Sequence, residues 1–92
     1  MHTLCVYYDL NDPQHQYGEL IAYLESYKDY AQVGSRIWFI DTDRSPAQVR
    51  DDINNLAMPS GDRIIVFNVG AAWSSSGLKP ETSDWLHHEW KP

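Results

Sequence analysis

A small α+β domain running strand, helix, strand, strand, helix, strand is what the sequence predicts, on three observations. Short apolar runs at residues 4–8, 37–40 and 64–67 have the length of strands and are buriable on both faces. Between them lie two stretches of helical period, each opened by a proline, at Asp12-Pro13 and Ser45-Pro46. Gly34-Ser35 separates residues 30–33 from residues 36–42 as the two-residue turn of a hairpin would.

Residues 3–9 make the first strand. Leu4, Val6 and Tyr8 point to one side, and Thr3, Cys5, Tyr7 and Asp9 to the other. Both sets are mostly buriable, so this strand belongs in the middle of a sheet. Asp12 suits an N-cap, and Pro13 the first helical position, where its missing N–H costs nothing. The helix that follows carries an apolar stripe of Tyr17, Leu20, Ile21, Leu24 and Tyr27. Gly18 falls in its second turn, at a cost of roughly 1 kcal/mol relative to alanine. The helix fades near Lys28-Asp29.

Residues 30–33 are a short strand leading into the hairpin; one long bulged strand over 30–42 is the alternative. Ser45-Pro46-Ala47-Gln48 is a capping box with proline at the first helical position. Val49, Ile53, Leu56 and Ala57 form the stripe of that second helix, and Pro59-Ser60-Gly61-Asp62 ends it in a turn. Residues 63–69 are the last core strand, whose apolar run predicts burial. Residues 70–78 are small and polar around Trp73. Residues 80–90 close the chain as a helix with Trp85, Leu86 and Trp90 toward a partner surface.

This order of elements is the split βαβ, or ferredoxin-like, arrangement: an antiparallel sheet with two helices on one face. It makes residues 1–92 a single domain, with a core at 3–69 and a C-terminal tail and helix at 70–92. Two helices cover only one face of a sheet whose strands are apolar on both. Trp38 and Ile40 alternate against Ile37 and Phe39, so one of those pairs needs another cover. The terminal segment, a second subunit, or both would supply it. A homodimer is expected, with Trp38, Trp73, Trp85 and Trp90 as interface candidates, because an exposed patch of that size is a liability for a monomer.

At 92 residues the chain is near the size where one core stabilises only modestly. An apolar fraction of 42% with four tryptophans still indicates a real core rather than disorder. Thirteen acids against seven bases leave a net charge of −6. Proteins that grip nucleic acid draw affinity from counterion release at a basic face, so this balance counts against nucleic acid as the default partner. The lone Cys5 has no internal disulfide partner and reads as a small buried hydrophobe. With no N-terminal signal pattern and no apolar run near the ~20 residues that span a bilayer, the expectation is a soluble, cytoplasmic chain without a membrane partner.

Tyr8-Asp9-Leu10 closing the first strand, then a helix, an aromatic hairpin, a second helix and a last apolar strand resemble the small CRISPR-associated spacer-acquisition subunit over residues 3–69. The chain looks closer still to short, uncharacterised bacterial and phage proteins of that plan, through Tyr8-Asp9-Leu10-Asn11, Ser35-Arg36-Ile37-Trp38, Trp73 and Trp85-Leu86. The resemblance implies a homodimer, a link to defence or mobile elements, and a metal-dependent nuclease role for Asp9 near the dimer axis. Spacer-acquisition subunits tend to carry bases soon after the tyrosine-aspartate pair. Here Asn11, Asp12, Pro13, Gln14, His15 and Gln16 follow, with no base before Lys28.

Asp9 is accordingly the candidate catalytic and metal-binding residue. Two copies across a two-fold axis would share a Mg²⁺, which takes hard oxygen ligands, and the metal would activate water for phosphodiester attack. The plainer reading has Asp9 accepting bonds from turn amides at the first helix. Asp41 and Asp43 form an Asp-x-Asp that binds a cation only if a third acid joins. His87 and His88 point about 100° apart on a helix, and Asp84 with His88 is too few ligands for zinc. His15, near Asp9 and Asp12, is a thin general-base candidate. Three functions follow: a non-catalytic homodimeric protein-interaction module, which is preferred; a metal-dependent endonuclease acting on RNA or DNA through paired Asp9; and an acidic nucleic-acid mimic.

Overall fold

The computed structural model describes residues 1–9, 17–56, 63–70 and 74–91. Its elements are β1 (His2–Asp9), α1 (Gly18–Glu25), β2 (Tyr30–Gly34), β3 (Ile37–Thr42), α2 (Pro46–Asn54), β4 (Arg63–Asn68) and α3 (Pro80–Glu89). The four strands make one antiparallel sheet in the order β2-β3-β1-β4.

β1 is central because both its faces can be buried. Leu4 and Val6 are fully buried and Tyr8 nearly so on one face, with Thr3 and Cys5 buried on the other. Leu4 lies opposite Ile40 of β3, and Val6 opposite Val66 of β4. Leu20 and Leu24 of α1 and Val49 and Ile53 of α2 pack in one cluster with Leu4, Val6, Tyr8, Trp38 and Ile40. Both of these helices therefore lie on the same side of the sheet.

α2 starts as its sequence requires. The Gln48 amide donates to Ser45 Oγ at 3.1 Å, and the Ser45 amide to Gln48 Oε1 at 2.9 Å, so two otherwise orphaned N–H groups are satisfied reciprocally. α1 differs from expectation. Tyr17 has ψ 42° and stands outside the helix, so Gly18 is the first helical residue rather than part of a second turn. The penalty for glycine is that of a helix interior, where its backbone freedom is fully lost, so it is smaller at this end position. The proposed Asp12-Pro13 start lies outside the described residues. The helix also ends earlier than its stripe suggests, at Glu25, because the Ser26 amide bonds back to Tyr23 O at 3.1 Å and tightens the last turn.

Residues 30–42 form a hairpin, not one bulged strand. The turn is Ser35-Arg36, one residue later than Gly34-Ser35, because the register shifts between Gln32 and Gly34 and keeps Gly34 in β2. A Cβ on Gly34 would stand 3.3 Å from Ile37 Cγ2, so glycine lets the strands close at that irregularity.

β4 departs most from expectation. Its apolar run predicted burial, yet Ile65 is 54% and Phe67 43% exposed. β4 is an edge strand: β1 pairs it on one side, and only its inner residues Ile64 and Val66 are packed against the core. The strand also stops at Asn68, leaving Val69 outside it. On the same face, α3 lies over the other half of the sheet. Trp85 stacks on Phe39 at 6.4 Å between ring centroids, and Trp90 meets Phe39 edge-on at 5.1 Å. The tail thus turns its aromatic residues onto its own sheet.

Candidate functional site: the half-covered face of the sheet

Strand alternation puts Thr3, Cys5, Tyr7 and Asp9 of β1 on this second face, with Ile37, Phe39 and Asp41 of β3 and Arg63, Ile65 and Phe67 of β4. α3 covers Phe39. Tyr7, 41% exposed, lies opposite Ile65, and Phe67 opposite Cys5, so Tyr7, Ile65 and Phe67 adjoin in one uncovered apolar patch. Cys5 is buried beneath these neighbours, and that burial pushes its thiol up to about 11. A thiol held protonated in this way is a poor nucleophile at neutral pH.

Asp9 closes one end of the patch. Arg36 Nη1 lies 3.4 Å from its Oδ1, and Arg63 Nη1 3.7 Å from its Oδ2. Register accounts for one of these arginines, since Asp9 and Arg63 are directly opposed; the hairpin turn delivers the other. Local sequence shows no base near Asp9, and only the pairing of distant strands reveals them. Two guanidinium groups oppose a divalent cation at this carboxylate by simple Coulomb repulsion.

The acids that do gather are at the opposite end of the sheet. Carboxylate oxygens of Asp29, Asp41 and Glu89 lie within 4.8 Å of one another. Asp43, the other half of the Asp-x-Asp, is not among them; it is exposed, with Oδ1 2.9 Å from the Met1 amine. The buried Asp41 accepts from the Thr3 hydroxyl at Oδ1 and from Lys91 Nζ at Oδ2, 2.7 Å away. Lys91 Nζ also lies 3.1 Å from Glu89 O and 3.4 Å from Glu89 Oε2. Its ammonium thus pairs with two of these three acids, and its bond to Asp41 holds it above the ordinary lysine value.

No protein-family model, curated protein or solved structure matches this chain. Assignment therefore rests on residues alone. Of the four tryptophans expected at an interface, Trp38 is only 2% exposed and donates from Nε1 to Tyr8 Oη at 3.1 Å within the core. Trp85 and Trp90 pack on Phe39, and Trp73 lies outside the described residues, as does His15. Asp84 and His88 are exposed on α3.

The helix layer carries a separate polar network. Tyr23 donates to Asp52 Oδ2 at 2.8 Å and meets the Tyr27 hydroxyl, while Arg44 Nη2 donates to Asp52 Oδ1 at 2.8 Å. Burial raises both tyrosines; Tyr23 ties α1 to Asp52 of α2, and Tyr27, just past the end of α1, bonds Tyr23. Among the described residues, no helix is long and apolar enough to cross a membrane.

Proposed function

We propose that the chain is a homodimeric, ferredoxin-like protein-interaction module whose interface is the uncovered patch of Tyr7, Ile65 and Phe67. One observation carries the reading: three large apolar side chains adjoin on a face that α3 only half covers. Contiguous exposed apolar surface is a common mark of an interaction site. The strand order β2-β3-β1-β4, with α1 and α2 on one face, supports the ferredoxin-like plan. The size of the chain supports a second copy as partner, because self-association adds core to a domain that has little.

The likeness to spacer-acquisition subunits favours the same two-fold plan and would lend Asp9 a nuclease role. Its described neighbours, Arg36 and Arg63, favour an ion-paired rim instead. Sedimentation of the purified chain across a concentration series tests the proposal. A monomer–dimer equilibrium within the micromolar range supports it, and a monomer throughout that range removes it.

A further inference from the structure

The segment that covers Phe39 leaves one of its buried polar groups unsatisfied. Among the residues of α3, Thr82 and Leu86 are the buried ones, and Lys79 caps the helix without a side-chain bond. Trp85 Nε1 is buried with no hydrogen-bond partner among the described residues. A pocket of about 250 Å³, open to solvent, lies beside the helix, lined by residues 74–76, all serines, as well as by Val33, Phe39, Leu86 and Trp90. An orphaned buried donor carries its full desolvation cost, which offsets part of what the ring contacts on Phe39 and the burial of Leu86 contribute.

A second, polar set of contacts lies just past the end of α3. β4 stops at Asn68, opposite Leu4, so the Thr3 end of β1 lacks a strand on that side. Lys91 takes the place: the Thr3 amide donates to Lys91 O at 2.6 Å, and the Lys91 amide to Thr3 Oγ1 at 2.8 Å. The Lys91 ammonium then meets the buried Asp41 carboxylate, and Trp90 Nε1 donates to Gly70 O at 2.9 Å. At the other end of the segment Gly77 has φ +75°, a left-handed conformation natural to glycine and suited to a hinge.

We propose that α3 together with residues 90–91 is a strap that opens from the sheet as a unit, with the Lys91–Asp41 pair as its latch. Opening takes Phe39 out from under Trp85 and Trp90 and joins it to the Tyr7, Ile65 and Phe67 surface, enlarging the face available to a partner. That consequence rests on the interface reading above; the motion itself does not. In the closed form Asp41 needs its cation, because a buried carboxylate deprived of its partner is strongly unfavourable. In the open form water solvates it.

Amide hydrogen exchange of the intact chain, kept dilute, tests the strap, while sedimentation separately reads the interface. Lys91→Met should speed exchange of the α3 amides by about tenfold or more while amides shared by β1 and β3 keep their wild-type rates, as for a sub-global opening. Asp41→Asn should act in the same direction, more weakly, since the neutral amide still bonds Thr3. Trp85→Phe removes the orphaned donor and should slow α3 exchange, which keeps the test open if Lys91→Met fails to fold. Wild-type α3 rates in Lys91→Met, α3 exchanging only together with the sheet, or no slowing in Trp85→Phe would overturn the proposal.

Discussion

The indole of Trp38 and the phenol of Tyr8 are joined inside the core, Nε1 donating to Oη at 3.1 Å across neighbouring strands. Tyr8 passes the chain on, its hydroxyl donating to Ser35 O at 3.1 Å in the hairpin turn. Both side chains are almost fully buried. This pair lets a core hold a tryptophan with its polar atom satisfied, and it ties the β2–β3 turn to the central strand.

Tyr8→Phe should therefore destabilise the fold by roughly 1–3 kcal/mol, because it strands the Trp38 donor while leaving shape nearly unchanged. Urea unfolding followed by tryptophan fluorescence measures it. A change within about 0.5 kcal/mol, the range of ordinary surface substitutions, would mean that the bond contributes little.

Cys5 sets a pH dependence whose sign follows from burial. Its thiol rises from 9.0 to about 11 in the folded chain, so the unfolded chain ionises first as pH rises. The stability this represents is complete below 9.0 and is lost between 9.0 and about 11. By the magnitude of that shift the loss is roughly 2–3 kcal/mol. Cys5→Ala, compared with wild type across that window by urea unfolding, should lose less stability with rising pH. Parallel losses in the two chains would contradict it.

Asp9→Asn separates the interaction module from the nuclease. Arg36 and Arg63 meet Asp9 at an exposed site, where ion pairs contribute at most about 1 kcal/mol, so stability should change by no more than that. Calorimetric titration of the wild type with Mg²⁺ should give no saturable binding. Mg²⁺-dependent cleavage of labelled RNA or DNA by wild type, abolished in Asp9→Asn, would put catalysis in place of binding.

Legibility in the sequence divided along the range of the interactions. The Ser45–Gln48 capping box, the central first strand and the hairpin are local patterns of spacing and residue type, and they lie close to where the residues predict. β4 is more exposed than its pattern implies because an apolar run shows that a strand can be buried, not that it is; its place at the edge is decided by pairing with β1. Trp85 and Trp90 mark a helix face without saying what lies opposite, and that turned out to be Phe39 of the same chain. Asp9 with Arg63 and Asp41 with Lys91 are long-range pairs, the latter fifty residues apart, and spacing carries no trace of them.

The most direct test of the interface is sedimentation of Ile65→Asp beside the wild type. Ile65 is over half exposed on an edge strand, so the substitution leaves the core in place. A two-fold dimer loses the residue twice, at about 1.5 kcal/mol or more each, which weakens association by at least about 100-fold. The account predicts a wild type that dimerises and a folded Ile65→Asp chain that stays monomeric at the same concentration. A variant that dimerises as tightly as wild type would contradict it.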